Sequence, residues 1–322
     1  SVSFNRNDRF LAANSLDEIA VWDLQSGERL HTIKARRGIS HVAWSPADDR
    51  LAAASKQQGI TIWDGLTGKK QRNWPNGSAC LAWDPQGHRL AFGGQDQRIH
   101  VLDTETGDQL SSEIRHVAEI TALAWGSDGM HLASAGRDTT VRIWDGIKCD
   151  EVARLRGHVG AVTSLDWNPL GTHFVTAAQD QTVKIWDASR TEEQISLQGF
   201  ADRVKSTSWG PQSNFIVASS GSWSRLWSID RGTQESEWQG QIAVLHPVDD
   251  RIAIATQSEI QIRDRSTGEL VKKLDGHTKG VTAMHWDSKG KRLASASWDG
   301  TARIWDAETG NEVACTRLSH LD

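Results

Sequence analysis

The feature that most constrains this chain is a segment that recurs along its whole length. Residues 157–187 open with Gly157-His158 and close with Trp186-Asp187. Between these pairs lie three short runs of β-branched and apolar residues, which are separated by turn-forming residues at 168–171 and 179–181. Runs punctuated in this way predict consecutive antiparallel strands. A chain built from such units has to bury each unit against its neighbours.

Two columns of equivalent positions define the repeat. The column of Trp186 consists of Trp22, Trp63, Leu102, Trp144, Trp186, Trp227, Arg263 and Trp305, and Asp follows every member except Trp227. The column that ends the first strand of each unit consists of Phe4, Trp44, Trp83, Trp125, Trp167, Trp209, His246 and Trp286. A period of about 40 residues with four strands per unit indicates an all-β propeller.

In its period, turn residues and paired Trp columns, the whole chain resembles the WD-repeat family. The resemblance implies an eight-bladed β-propeller of four-stranded antiparallel blades, and a seven-bladed ring is the alternative. The predicted blades of this single propeller cover approximately residues 1–35, 36–75, 76–116, 117–157, 158–199, 200–239, 240–275 and 276–322. Because Ser1 stands where an initiator Met would be, we expect an N-terminus truncated inside a strand.

Composition narrows the classes of partner. The net charge is −5 and no block of like charge stands out, so we expect no nucleic-acid partner. No apolar run is long enough to span a bilayer, so we expect no membrane partner. Cys80, Cys149 and Cys315 are too widely spaced for a disulfide framework or a metal site. We therefore expect a reducing, cytoplasmic setting, with no metal and no cofactor.

Three units carry His, Ser or Thr, and Asp at fixed distances before the Trp. The sets are His116, Ser134, Asp138 and Trp144; His158, Thr176, Asp180 and Trp186; and His277, Ser295, Asp299 and Trp305. Such residues can form a catalytic triad, which needs an exposed nucleophile. The family resemblance implies instead a buried chain of hydrogen bonds from Trp through the hydroxyl and His to Asp. Since nucleophile-elbow and phosphate-loop motifs are missing as well, we expect no catalytic residues and no enzyme.

The resemblance also implies a face for partners, formed by loops around one mouth of the central channel. The residues that point into it by this reasoning are Glu119, Thr121, Arg137, Thr163, Gln179, Arg203, Lys205, Thr282 and Trp298. Trp74 and Trp223 lie outside both Trp columns and map to the same face. Trp and Arg are enriched at binding hot spots. The alternative is that each Trp fills a gap between blades; this alternative is favoured for Trp74 and remains open for Trp298.

Together these patterns predict a non-catalytic scaffold or sensor for protein–protein interaction that uses the channel-mouth face. The expected partner is a protein or peptide with acidic and apolar groups. The alternative function is a sensor or autoinhibitory propeller of a larger signalling protein, such as a kinase or a nucleotide-binding switch. A channel-mouth enzyme or a lectin is the third class.

Overall fold

The computed structural model describes residues 1–15, 17–35, 38–75 and 78–317. These residues form 32 strands, β1 to β32, arranged as eight sheets of four consecutive antiparallel strands. The fold is therefore an eight-bladed β-propeller, and the seven-bladed alternative is excluded. Each blade keeps its own outer strand, so no strand is exchanged between the two ends of the described chain.

The strands of the first four blades follow one another along the chain. Blade 1 has β1 (Val2–Phe4), β2 (Phe10–Asn14), β3 (Glu18–Asp23) and β4 (Glu28–Lys34). Blade 2 has β5 (Ile39–Trp44), β6 (Arg50–Ser55), β7 (Gly59–Asp64) and β8 (Lys70–Trp74). Blade 3 has β9 (Cys80–Trp83), β10 (Arg89–Gly93), β11 (Arg98–Asp103) and β12 (Gln109–Ile114). Blade 4 has β13 (Ile120–Trp125), β14 (His131–Gly136), β15 (Val141–Asp145) and β16 (Glu151–Leu155).

The last four blades repeat this order. Blade 5 has β17 (Val162–Trp167), β18 (His173–Ala178), β19 (Val183–Asp187) and β20 (Glu192–Leu197). Blade 6 has β21 (Val204–Trp209), β22 (Phe215–Ser220), β23 (Trp223–Ser228) and β24 (Thr233–Gln239). Blade 7 has β25 (Ile242–Leu245), β26 (Arg251–Thr256), β27 (Glu259–Asp264) and β28 (Leu270–Leu274). Blade 8 has β29 (Val281–Trp286), β30 (Arg292–Ser297), β31 (Thr301–Asp306) and β32 (Glu312–Arg317).

The first strands of the blades form the inner ring. Each contacts the first strand of the next blade, and β29 of blade 8 contacts β1 of blade 1, so the ring is closed. Apolar residues of blades 1 and 8 share one core cluster, which contains Leu11, Trp22 and Ile304. Stacking of this kind buries the two faces of each small sheet against its neighbours.

The Trp column of the first strands joins neighbouring blades. The Trp167 indole N–H donates to the carbonyl of Ala124 in the preceding blade, at 3.0 Å. The same bond recurs between Trp83 and Ala43, Trp125 and Ala82, Trp209 and Asp166, and Trp286 and Val244. A buried indole N–H needs an acceptor, and here the adjacent blade supplies it. The repeat of Trp therefore records a repeated contact between blades.

The assignment of His246 to this column is wrong by one residue. Leu245 pairs with Ile252 in the same register in which Trp209 pairs with Ile216, so Leu245 occupies the column in blade 7. The ring of His246 instead lies in the following turn, where its Nδ1 accepts the backbone N–H of Asp249 at 3.0 Å. A sequence signal for this register exists, because proline stands two residues after the column position in five blades, at Pro46, Pro85, Pro169, Pro211 and Pro247.

Two kinds of connection meet at each end of the ring. At one end, which we call the upper face, the loop that enters each blade lies beside the turn between that blade's second and third strands. In blade 5, for example, the Gln179 N–H of this turn donates to Ala161 O of the entering loop. At the opposite end, which we call the lower face, the turn between the first and second strands of a blade lies beside the turn between its third and fourth strands. In blade 5, the Ala188 N–H donates to Thr172 O between these turns. The predicted partner-binding positions thus belong to the upper face.

Candidate binding face

Blade 5 contains a continuous chain of buried hydrogen bonds beneath the upper face. The Trp186 indole N–H donates to Thr176 Oγ1 at 2.8 Å. The hydroxyl lies 2.8 Å from His158 Nε2, and His158 Nδ1 lies 2.9 Å from Asp180 Oδ2. Since the indole can only donate, the hydroxyl accepts from it and donates to Nε2, which leaves Nδ1–H to donate to the carboxylate. The chain ties the third strand to both upper connections of the blade.

The other two predicted sets have the same geometry. In blade 4, Trp144, Ser134, His116 and Asp138 are linked at 2.9, 2.8 and 2.9 Å. In blade 8, Trp305, Ser295, His277 and Asp299 are linked at 2.9, 2.8 and 2.9 Å. Because a buried polar group left without a partner costs about 1–3 kcal/mol, each member stabilises the others.

A fifth residue completes each set, and sequence reasoning missed it. The Thr182 hydroxyl donates to Asp180 Oδ1 at 2.7 Å and lies 3.2 Å from His158 Nδ1. Thr140 and Thr301 make the same bonds in blades 4 and 8. The signal was available, because Thr stands four residues before the Trp in all three units. With the backbone N–H of Val159 also donating at 2.9 Å, the Asp180 carboxylate is surrounded by donors.

An ion pair lies beside each complete set. Lys184 Nζ contacts Glu193 Oε1 at 2.8 Å across the third and fourth strands of blade 5. Arg142 pairs with Glu151 at 2.6 Å in blade 4, and Arg303 pairs with Glu312 in blade 8. The spacing from cation to Glu is the same in the three blades, so it is a further mark of the complete units.

The surroundings of these sets fix their charge. Desolvation raises the pKa of the Asp180 carboxyl, but hydrogen bonds from Thr182 and the charge interaction with His158 lower it more, so the pKa lies below its usual range. The pKa values of Asp138 and Asp299 shift in the same net direction. Desolvation lowers the pKa of His158 more than Asp180 raises it. Near neutral pH, therefore, the neutral imidazole of His158 donates a hydrogen bond to the ionised carboxylate of Asp180.

Burial argues against chemistry at these sets. Ser134, Thr176 and Ser295 are each 0% exposed. A serine or threonine nucleophile has to reach a substrate carbonyl, and these hydroxyls lie inside the blades. Within the described ranges, moreover, no cluster of three or more His, Cys, Asp and Glu side chains could hold a metal ion. Nor do the described residues include a helix long and apolar enough to cross a membrane.

Blades 3 and 6 have apolar residues at the positions of the His and the hydroxyl. In blade 3, Phe92 takes the place of the hydroxyl and packs in a core cluster against which Trp74 also packs. In blade 6, Phe200 and Ala218 take the places of the His and the hydroxyl. The Trp227 indole N–H accordingly finds no acceptor within the described parts of the chain. Blade 6 thus keeps the Trp but not its acceptor, which costs more than replacing both partners of the hydrogen bond by apolar groups.

Trp298 is the most exposed aromatic side chain of the upper face. It is 70% exposed although its backbone N–H donates to Gly280 O at 2.9 Å. A Cβ atom built on Gly280 would lie 3.6 Å from Trp298 Cδ1, so the indole lies over that glycine. Trp298 therefore does not fill a gap between blades, which was the alternative explanation for this residue. An exposed indole on a fixed backbone is the kind of residue that forms a hot spot.

Arg137 and Glu119 lie together in an ion-pair network. Arg137 Nε contacts Glu119 Oε2 at 2.8 Å, and Lys56 Nζ of blade 2 contacts Glu119 Oε1 at 3.2 Å. Arg137 and Lys56 are more than a third exposed, so each pair contributes little to stability. The carboxylate of Glu119 neutralises part of the positive charge on this side of the upper face.

The hydroxyls of two predicted partner-binding threonines make hydrogen bonds within the propeller, between neighbouring first strands. Thr121 Oγ1 donates to Val162 O and Thr163 Oγ1 donates to Val204 O, each at 2.6 Å, so both hydroxyls join one first strand to the next. Thr282 is exposed, and its hydroxyl donates within its own blade, to Ala296 O at 3.2 Å. Gln179 is exposed at the upper face.

The remaining predicted residues divide between exposed and packed positions. Arg203 and Lys205 of blade 6 are exposed. Trp223 begins β23 and is 45% exposed, at the position that Thr182 holds in blade 5. Trp74 ends β8 and is half-buried against apolar residues of blades 2 and 3. Trp238 of β24 is buried against residues of blade 7. The structure therefore brings Trp298, Trp223, Arg203 and Lys205 to the upper face as exposed side chains.

The lower face has a depression at its end of the channel that sequence reasoning missed. Its volume is about 580 Å³, and its wall includes Phe4, Trp209, Trp286, His285 and several of the turn prolines. Nearby, Asp166 on the inner strand β17 is one of the few charges of the first strands. Desolvation raises the pKa of Asp166 to about 7, since the N–H groups of Trp209 and Trp167 offset it only in part.

Comparison with a family model identifies the repeat. The model described as "WD domain, G-beta repeat" matches residues 27–64, 107–145, 149–187 and 268–306. Each match ends at the Asp that follows a Trp of the third-strand column, and so includes the outer strand of one blade and the inner strands of the next.

Curated relatives match over short segments. The U3 small nucleolar RNA-associated protein 21 homolog of Schizosaccharomyces pombe is 29% identical over 116 residues, which is 32% of this chain and 13% of that protein. The ribosome biogenesis protein WDR12 homolog of Arabidopsis thaliana is 32% identical over 99 residues, or 30% of this chain and 20% of the relative. The guanine nucleotide-binding protein G(I)/G(S)/G(T) subunit beta-1 of Homarus americanus is 44% identical over 54 residues, or 17% and 14%. The chain thus spans a fifth or less of these relatives' length.

Proposed function

This chain is a WD-repeat β-propeller, and we propose that it acts as a non-catalytic scaffold that binds a protein or peptide through its upper face. The observation that carries the proposal is Trp298, whose indole is 70% exposed at the channel mouth while its backbone is fixed to Gly280. An indole held in this way loses little conformational freedom when a partner covers it.

The charges of the upper face indicate the partner's chemistry. Arg203 and Lys205 are exposed, and none of the ion pairs between described residues includes either side chain. Their charges are free to meet carboxylates, while Trp298 and Trp223 offer apolar area. A partner with acidic and apolar groups suits this combination.

A protein partner fits better than nucleic acid. The net charge of −5 opposes binding of a polyanion. If nucleic acid were the partner, binding would weaken steeply with salt in proportion to the phosphates contacted. A measured salt dependence that is shallow supports the protein proposal.

The relatives support an interaction role without naming a common partner. Their names refer to ribosome biogenesis, to a U3 small nucleolar RNA-associated protein and to a G-protein subunit. Because one fold serves these different roles, the shared repeats support a scaffold function but do not indicate any one specific activity. For the same reason a sensor role in signalling gains no support from them.

We also propose a reducing, cytoplasmic location. All three cysteines are free, and Cys80 and Cys149 are buried as apolar residues, with the pKa of the Cys80 thiol raised to about 12 by desolvation. Thiols that stay reduced inside a core are typical of a reducing compartment. Localisation of the full-length protein by fractionation tests this, and recovery from the secretory pathway would contradict it.

The test of the proposed function compares partner binding by variants of the upper face. We expect that Trp298→Ala weakens binding of a captured partner by more than about 1 kcal/mol, because hot-spot aromatics at a protein interface contribute at least this much. Trp238→Ala is not a suitable control because it opens the core, so Leu170→Ala on the lower face serves instead, with thermal melting as the check on folding. Equal loss for Trp298→Ala and Leu170→Ala would contradict the proposal.

A further inference from the structure

The upper rim of the propeller is lowest at blade 7. Only two residues, Gly240 and Gln241, lead into this blade, whereas six residues lead into blades 5, 6 and 8. The turn between its second and third strands is also short, with Gln257 and Ser258. Backbone bonds close these connections directly, since Gly240 N–H donates to Ser222 O and Gln241 N–H donates to Ala255 O. The wall of the channel mouth therefore has a notch at this blade.

Trp298 of blade 8 stands at one edge of the notch. The indole covers Gly280, and a Cβ on Gly280 would lie 4.0 Å from Gln257 O of blade 7. Gly280 thus lies between the indole and the short turn of blade 7. A side chain at position 280 would occupy the space between the Trp298 indole and the turn of blade 7. Glycine leaves this space open.

Lys205 of blade 6 stands at the other edge. Thr121 and Thr163 occupy the same position in blades 4 and 5, and each reaches the first strand of the next blade. Lys205 follows Val204 at this position in blade 6, next to the short connection that enters blade 7. In the described parts of the chain, neither Lys205 nor the exposed Lys279 of the loop entering blade 8 belongs to an ion pair.

The acidic groups around the notch are mostly engaged. Glu259 and Asp275 both pair with Lys273, and Asp299 is buried in the hydrogen-bond chain of blade 8. Asp202 is exposed and accepts the backbone N–H of Arg203. Among these residues the unpaired cations, Lys205 and Lys279, therefore outnumber the one carboxylate outside an ion pair, that of Asp202. The opposite side of the face differs, because Glu119 neutralises Arg137 there.

We propose that this notch, bounded by Lys205, Gln241, Gln257, Gly280 and Trp298, holds an acidic peptide segment in extended conformation as it leaves the channel mouth. An apolar or aromatic side chain of the segment packs on the Trp298 indole, and its carboxylates meet Lys205 and Lys279. In an extended chain, alternate side chains point to opposite sides, so one segment can present both groups. The proposal rests on the proposed function and specifies the side of the face and the local chemistry of the partner.

Short synthetic peptides with a fluorescent label test the inference by anisotropy. The probe alternates glutamate with phenylalanine, one control has lysine in place of glutamate, and a second has serine in place of phenylalanine. We expect the probe to bind and both controls to bind at least about tenfold more weakly. We expect Trp298→Ala and Lys205→Glu each to weaken probe binding about tenfold or more, and Trp298→Phe to restore most of the loss.

Two matched controls and one graft separate the notch from the rest of the face. Val117→Ala and Val159→Ala alter exposed residues of the loops that enter blades 4 and 5, outside the notch, and each should change probe binding less than about twofold. Replacing Gly240-Gln241 by the six residues 156–161 of this chain raises the rim at blade 7 and should abolish binding of the probe. Thermal melting of each variant confirms that the propeller still folds.

The outcomes distinguish the notch from the proposed function. If Val117→Ala and Val159→Ala weaken binding as much as the notch variants, or if the probe does not bind, the notch proposal is overturned while the scaffold function still stands on its own partner test. If His285→Ala on the lower face abolishes probe binding and the upper-face variants do not, both proposals are overturned.

Discussion

The Nδ1 atom of His158 lies 2.9 Å from the Oδ2 atom of Asp180, and the two side chains are 0% and 4% exposed. The pair joins the loop that enters blade 5 to the turn between its second and third strands. The upper face is thus held from beneath by a hydrogen-bond network in which every donor has an acceptor. This arrangement makes the network a contributor to stability.

The substitution Asp180→Ala should lower the free energy of unfolding by about 1–3 kcal/mol, since it leaves His158, Thr182 and the Val159 N–H without their buried acceptor. Thermal melting or urea denaturation measures the loss. Gln57 holds the matching position in blade 2 and is exposed, so Gln57→Ala should cost less. An unchanged melting temperature for Asp180→Ala would show that the network is not structural.

The fifth residue of the network should contribute as well. Thr182→Val keeps the shape of the side chain but removes the donor to Asp180, so we expect a loss of about 1 kcal/mol in the free energy of unfolding. Thr61 lies on the third strand of blade 2, which lacks the network, and Thr61→Val is a control for the loss of a strand threonine hydroxyl outside the network. Equal effects of the two substitutions would mean that the Thr182 hydroxyl adds nothing to the network.

Acid should destabilise the propeller in two stages. The folded pKa values of His158 and His277 lie below the unfolded value of about 6.5, so the unfolded state binds more protons and stability falls as the pH drops below that value. The depressed pKa values of Asp180 and Asp299 add a second loss once the unfolded carboxyls protonate below about pH 4.

Urea denaturation at a series of pH values from neutral to acid checks these stages. The variant His158→Gln removes one titrating group, so its stability should fall less steeply in the first stage. A first stage that is identical in this variant would contradict the role assigned to His158.

Asp166 should have the opposite pH dependence. Its folded pKa of about 7 lies above the unfolded value of about 3.9, so its contribution to stability decreases as the pH rises between these values. Asp166→Asn should therefore raise the free energy of unfolding by at least about 1 kcal/mol at pH 8, and by almost nothing at pH 4. Ser208→Asn, at the same position of blade 6, serves as the control without a titrating group. A gain that does not depend on pH would contradict the account.

The repeat allowed much of this structure to be predicted. His116, Ser134, Asp138 and Trp144 recur at constant spacing in two further blades, so one interpretation was checked against three copies. Contacts that do not recur could not be found in this way. Lys56 reaches Glu119 across blade 3, and nothing in the spacing of these two residues distinguishes them from other pairs. The position of Gly280 between the Trp298 indole and the short turn of blade 7 likewise follows from residues that lie far apart in the chain.

The register error at His246 has a physical origin. Blade 7 lacks the Trp that marks the end of the first strand, and an aromatic ring one residue later offered a false equivalent. Leu245 fills the apolar position instead, and His246 caps the turn that follows. Apolar columns tolerate such replacement because packing selects volume and burial more than ring chemistry.

Hydroxyl-radical footprinting of the propeller with and without its bound partner tests whether the upper face binds the partner. Trp298 should be protected in the complex, while Met130 and Leu170, which are exposed on the lower face, should be oxidised at unchanged rates. Protection of Met130 and Leu170 with Trp298 unchanged would contradict binding through the upper face.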